Sequence, residues 1–397
     1  MKLMKTLTAL SLAGVMSASS LMCAFADGPA DQATADRQAR LKDNVLEYDE
    51  IYDLVNTYNT TVQNNNRSYN SMSKETLNET ADYLLDQADK LEEIAEGMEG
   101  QYDDQINSGQ YAGAAELLEN ITGIKMMAKK YKSQAQSSTS DSQVTKLKFD
   151  QAKYMIVMTA QNIMAQYNQG LNNLPYLYAN RELLENALAT TQTQLSLGMV
   201  TQQDLLTAQK NLDDMNNTIK STEDSLKNAK SNLGQMTGWS VNSDPEIRTM
   251  PAADPSYVDG INLQADIQKA IGNSLSLRML RRSLNSAATS SAEKNTRAEI
   301  ADGEQTVTNT VNQKYTTLLQ KKAAYDSAKI AFDLEAVKTA SVQQKFDLGM
   351  VSAIELKQQL STYSSKEADL KNADINLFMA IEDYKWTVDK GMGGASS

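Results

Sequence analysis

Apolar residues recur along most of this chain at steps of three and four, the period of a helix with one buried face. The pattern is weak over the polar stretch Asp27 to Arg40 and predicts a first helix from about Leu41 to Val62. The run NNNRSYNSMS breaks it, and Ser73 and Thr76 offer the next helix start. A second helical segment carries Leu84, Leu85, Leu91 and Ile94 and stops at the turn-rich GQYDDQINSGQYAG. A third spans about Ala114 to Tyr131. After a Ser-rich patch, a long one runs from about Gln143 to Leu197. Gly170 and Pro175 predict a kink in it, because proline removes a helix hydrogen bond and crowds the preceding turn.

From Leu205 the period becomes strict. Leu205, Leu212, Ile219, Leu226 and Leu233 recur every seven residues, and Ala208, Met215, Thr222, Ala229 and Met236 follow each by three. All but Thr222 are apolar, which is a heptad seam that calls for a partner helix alongside. The stretch from Gly238 to Gly260 holds three of the five prolines and reads as a linker over 240–260. Beyond it the layout returns. Displaced by 151 residues, the seam becomes Leu356, Tyr363, Leu370, Leu377 and Tyr384, and Leu197-Gly198-Met199-Val200 becomes Leu348-Gly349-Met350-Val351. Ile330, Leu334, Val337 and Leu348 suggest the face of the helix descending to that second turn. The shared spacing predicts an internal repeat. The fold class is therefore all-α, an elongated bundle of long antiparallel coiled-coil helices from two repeats. They occupy 27–239 and 261–390, ahead of a flexible tail at 391–397.

Each LGMV tetrapeptide reads as a stop followed at once by a start. Gly198 and Gly349 supply the positive φ that a helix end often needs. Thr201 with Asp204, and Ser352 with Glu355, match the capping box that opens a helix. Each motif is thus a tight turn between two long helices. The helix from about Glu304 to Leu348 would be roughly 65 Å long. Met199, Val200, Met350 and Val351 would be apolar side chains at the tips. They either pack beneath ordinary turns or form a docking surface, and their occurrence in two copies tilts the balance to docking.

The first residues change where the protein works. Lys2 and Lys5, the apolar run Leu7 to Val15 and Ala24-Phe25-Ala26 read as a signal peptide over 1–26, cleaved after Ala26. Cys23 would suggest lipidation instead, but Met22 stands where a small residue is expected. Cleavage removes the only cysteine and two lysines, taking the net charge from −12 to −14. The mature chain has neither Cys nor His, so it has no disulfide and no thiolate or imidazole metal site. It also lacks the commonest general base, which argues against an enzyme. Nothing in the sequence calls for a cofactor. The acidic surface repels nucleic acid and anionic lipid. No later segment reaches eighteen consecutive apolar residues, the length of a membrane-spanning helix.

The two turn motifs, LSLGMVTQQDLLTA and FDLGMVSAIELKQQ, together with INLQADIQKAIGNSLSLRMLRRSLNSA, resemble the TolC-type outer-membrane efflux proteins. The resemblance covers most of the mature chain. It implies a homotrimer whose helical hairpins form a hollow duct, docked through its glycine turns to a periplasmic-type adaptor and served by an inner-membrane transporter. Carried over by motif, Leu197, Gly198, Met199, Val200, Leu348, Gly349, Met350 and Val351 are the docking tips, and Asp204 and Glu355 ring the duct entrance. A threefold carboxylate ring of that kind favours cations. The chain departs from the family where a Tyr and an Arg often latch the entrance, since Phe346 and Val351 stand there, and Gln358 replaces a second carboxylate. It departs again where the family places barrel strands. NSAATSSAEKNTRAEIADGEQ and EGMEGQYDDQINSGQYAGA lack the alternation and aromatic girdles such strands need. The expectation is a barrel-less, exported protein of the cell envelope. It would sit at the outer membrane by resemblance, or in the cell wall or on the outer face of a single-membrane bacterium. A structural or adhesive coiled-coil protein is the rival reading; it accounts for the heptads but not for the repeated capped turns.

Overall fold

The computed structural model describes residues 37, 40–41, 43–71, 77–107, 111–136, 142–239, 244–285 and 290–394. The signal peptide, Ser73, Thr76 and residues 137–141 of the Ser-rich patch lie outside these residues. The chain divides into two units, Met1–Asn44 and Val45–Ser397. The elements below belong to the second.

The first expected helix is several short elements. Val45–Leu46 is a strand, β1, and a single 3-10 turn follows at Tyr48–Glu50. Helix α1 (Ile51–Tyr58) ends where Asn59 becomes extended, at ψ 121°. Helix α2 (Thr60–Ser71) then runs straight through NNNRSYNS. The break therefore falls at Asn59. Its Oδ1 accepts from the backbone N–H of Thr61 (3.0 Å) and Val62 (3.2 Å), so a local side-chain cap wins over the polar run downstream.

Helices α3 (Leu77–Asn107) and α4 (Tyr111–Gln136) form a hairpin. GQYDDQIN, expected to be a turn, is the last part of α3. Helix-to-helix ion pairs fasten the hairpin: Lys125 with Glu99, and Lys132 with Glu92 and Asp89. A small cluster of Leu84, Ala88, Ala128 and Tyr131 with Ala152 seats it on the next helix.

Two long hairpins follow. Helix α5 (Ser142–Ser196) returns as α6 (Gln202–Thr237). Strand β2 (Glu246–Ile247) and the short helices α7 (Pro255–Asp259), α8 (Leu263–Asn273) and α9 (Leu275–Asn285) lead to α10 (Ser290–Asp347), which returns as α11 (Ala353–Asp389). The 58 residues of α10 make it about 87 Å long. It begins fourteen residues earlier than expected, and residues 290–305, where a family member would carry barrel strands, are helical. Among the described residues the strands are β1 and β2, paired in parallel with Val45 opposite Glu246. The chain is all-α.

Contacts order the long helices α6–α5–α11–α10. All ten positions of the first seam and all five of the second are buried or half-buried. On α10 the seam lies elsewhere than expected. Ile330, Leu334 and Val337 are 56–70 % exposed on the outer side, while Tyr325, Phe332, Glu335 and Thr339 face inward. Glu335 is 7 % exposed because Gln359 on α11 donates to it and to Thr339. Hydrophobicity alone misassigned that face; a paired carboxylate holds the place of an apolar knob.

Burial is graded along the long helices. The main core joins Val258, Ile267, Leu277, Val311, Leu318, Leu377, Ile381 and Tyr384 at the end away from the turns. A fully buried Leu or Val contributes about 1.5–3 kcal/mol. Past Leu318 towards the turn, Glu335 is the one fully buried residue of α10 among those described. Gly170 lies at a close approach of α5 to α6: a Cβ there would come 2.8 Å from Leu226 Cδ2. The expected tail begins as packed structure, since Gly391 is buried and Met392–Gly394 form a 3-10 turn.

Candidate functional site

The two LGMV segments fold into the same turn. Gly198 has φ 72° and Gly349 has φ 71°. In the first, Gly198 N donates to Leu195 O and Met199 N to Gln194 O, both at 2.9 Å. In the second, Gly349 N donates to Phe346 O and Met350 N to Lys345 O, both at 2.8 Å. This pair of bonds is a Schellman motif, which satisfies the last carbonyls of the descending helix.

The ascending helices begin alike. Thr201 N donates to Asp204 Oδ2 (2.8 Å), and Asp204 N donates back to Thr201 Oγ1 (3.2 Å). Ser352 N donates to Glu355 Oε2 (2.8 Å), and Glu355 N donates to Ser352 Oγ (3.2 Å). The backbone bond from Thr201, then its hydroxyl, holds the Asp204 carboxyl below the usual carboxylate range; Ser352 does the same for Glu355. Both carboxylates are fully exposed and cap their helices.

A Schellman turn commonly packs the residue after its glycine against the side chain five positions back. Here those positions are Gln194 and Lys345, so neither methionine finds that apolar partner. Met199 and Met350 are 69 % and 70 % exposed, and Leu197 and Leu348 are 68 % and 74 % exposed. Val200 and Val351 are half-buried. Of each Met-Val pair, the methionine stands out from the turn and the valine is partly covered.

Both turns lie at the same end of the long helices. Trp386 Nε1 donates to Gln161 Oε1 (3.0 Å); Gln161 lies 37 residues before Gly198 and Trp386 lies 37 residues after Gly349. Nearer the turns the hairpins meet through polar groups. Asn172 and Asn173 bond Asn372, Gln169 bonds Asn376, and Lys357 on α11 reaches Glu182 on α5 at 2.7 Å. Sequence reasoning missed this cross-hairpin contact, because residues about 200 apart leave no local signal. A separate open cleft of about 860 Å³ lies between the α3 end, at Gln101, Asp104 and Gln105, and the polar outer face of α6. Its lining on α6 begins at Lys210, twelve residues after Gly198, and consists of polar side chains.

Among the described residues no helix is long and apolar enough to cross a membrane, and no group of acidic residues is arranged to hold a metal ion. No family model matches the chain, and no curated protein matches it. Solved structures do resemble it. They include the Campylobacter jejuni CmeC outer membrane channel, at 10 % identity and a TM-score of 0.43 over 68 % of this chain and 69 % of that one. CusC, described as forming a transmembrane channel, matches at 15 % identity and 0.44 over 80 % and 96 %. The outer membrane protein VceC from Vibrio cholerae matches at 10 % identity and 0.42 over 68 % and 76 %. The chain is similar to these outer-membrane channels.

Proposed function

We propose that this chain is an exported, TolC-like conduit component of an efflux system, built from two repeats, that docks an adaptor through Leu197–Val200 and Leu348–Val351. The observation that carries the reading is the pair of capped turns, whose leucines and methionines stand about 70 % exposed with polar residues behind them. Apolar groups left in water at two matching places are a surface awaiting a partner. The sequence carries no G-x-x-x-x-G-K-[ST] nucleotide-binding loop, so the energy would come from a separate transporter.

The order α6–α5–α11–α10 supports a ring. Its two edges are unlike, since α10 presents Ile330, Leu334 and Val337 while α6 presents a polar face on which Lys210, Asp214 and Asn217 line the cleft with the end of α3. Unlike edges join head to tail, and such contacts close into rings when the rotation allows. A homotrimer is the ring we infer from the resemblance. In it Asp204 and Glu355 repeat three times near the opening. The signal peptide delivers the protein to the cell envelope, at the outer membrane or, for want of barrel strands among the described residues, in the wall of a single-membrane cell.

The test uses the cysteine-free mature chain. Met350→Cys is expressed in the native host with a cleavable thiol crosslinker, beside a control Gln264→Cys at the far end. Capture of an adaptor-like envelope protein or a transporter subunit at position 350 and not at 264 is expected. Equal capture at both, or capture of wall proteins alone, overturns docking and leaves the structural coiled coil.

A further inference from the structure

Four described glycines have positive φ, and the two not at the turns share a second arrangement. Gly238 (φ 82°) ends α6 and Gly391 (φ 71°) follows α11, both at the far end from the turns. Each is pressed against the break between the two helices that open its half of the chain. Gly238 lies on Tyr58, the last residue of α1, where a Cβ would overlap the Tyr58 side chain. Gly391 lies on Asn273 and Ser274, between α8 and α9, where a Cβ would overlap the Asn273 carbonyl.

An asparagine ties each break to the closing helix. Asn59 Nδ2 donates to Met236 O (2.8 Å), and Asn273 Nδ2 donates to Val388 O (2.9 Å). Leu275 N also donates to Gly391 O (3.2 Å). Asn59 is 8 % exposed and its amide is used at both ends, since its Oδ1 caps α2. The opening and closing helices of each half are thus joined by a close glycine contact and one amide.

The lever from these joints is long. The 40 residues from Gly198 to Gly238 span about 60 Å, so a tilt of about 5° at the joint carries the turn by about 5 Å. Closer to the turns there is less to resist such a tilt. Among the described residues the polar contacts between hairpins there are amide pairs and an ion pair, Lys357–Glu182, with side chains 38 % and 57 % exposed. Exposed ion pairs hold weakly. We infer that the two clamps, Asn59–Gly238 and Asn273–Gly391, set the separation of the two turns from the opposite end of the molecule. The inference does not depend on what docks at the turns.

The experiment places nitroxide labels at Met199→Cys and Met350→Cys in the mature chain and measures their distance distribution by pulsed electron–electron resonance. Asn59→Asp and Asn273→Asp keep the size and the acceptor oxygen but remove the donor and face a carboxylate to the carbonyl. The expected result is a shift of about 5 Å in the mean distance, or a matching broadening, with helical circular dichroism unchanged. Val311→Ala weakens the neighbouring core without touching a clamp and is expected to leave the distance alone. An unchanged distribution in the folded Asp variants, or an equal shift in Val311→Ala, overturns the inference. Should Asn59→Asp fail to fold, Asn59→Ser keeps a capping oxygen without the reach to Met236, and the same distance decides.

Discussion

The turns and the bases of the two hairpins use one backbone device in opposite surroundings. All four glycines sit near φ 70–80°. At Gly198 and Gly349 an added Cβ would meet nothing within 4 Å; at Gly238 and Gly391 it would strike packed chain. At the turns glycine is needed for its dihedral alone, and the side chains around it are left to water. At the bases it is needed for both dihedral and space, and the neighbours are buried or half-buried. The same residue type therefore marks a surface at one end and a joint at the other, and only the surroundings tell which.

The comparison breaks first at the bases. Gly238→Ala or Gly391→Ala adds left-handed strain of about 1–2 kcal/mol to overpacking of about 1–3 kcal/mol. A loss of about 2–5 kcal/mol is expected, read as a lowered urea midpoint. Gly198→Ala or Gly349→Ala meets open space, so only the dihedral term of about 1–2 kcal/mol remains; equal losses at turns and bases would erase the distinction. Thr201→Ala or Ser352→Ala removes a cap worth about 1 kcal/mol. Hydrogen exchange should then quicken in the first turn of α6 or α11 and stay unchanged near Asn59.

Acid should sharpen the contrast, because the carboxyls at the two regions shift in opposite directions. Asp204 and Glu355 have folded pKa values below their unfolded ones, so their contribution is present above the unfolded value and is lost as pH falls through the folded value. Asp374, which accepts from Ala253 N, is raised by burial, so protonating it relieves a cost. Lowering the pH from about 5 to about 3 is expected to speed exchange at the first turns of α6 and α11 without the same loss around Asp374. The smallest effect on stability belongs to the residues proposed to matter most for partners. Met199→Ser and Met350→Ser should stay within about 0.5 kcal/mol of the parent, as exposed substitutions do, while adaptor capture at the turns falls.

The turns were legible because their signals are local. Glycine, cap and capping carboxylate all lie within eight residues, and the heptads that follow have their own period. Both seams are accordingly where the pattern put them on α6 and α11. On α10 the pattern misled, because Ile330, Leu334 and Val337 form a second apolar face and the true seam holds Glu335 and Thr339. The break at Asn59 was displaced into the polar run after it, since a single asparagine cap is a weaker written signal than NNN. The clamps left no trace at all. Asn59 and Met236 are 177 positions apart, and only the folded chain brings them together.

The short parallel pairing of β1 with β2 has a consequence for how the molecule comes to exist. Val45 meets Glu246 about 200 residues later, and closing a loop of that length costs about 5 kcal/mol of chain entropy. A two-residue ladder returns about 1 kcal/mol per hydrogen bond. The pairing cannot nucleate folding. It becomes favourable only after the local helical hairpins have already brought its ends within reach. Those two strand segments are therefore the finishing stitch of the fold, and their amides should be the last to gain protection when the chain is refolded from denaturant.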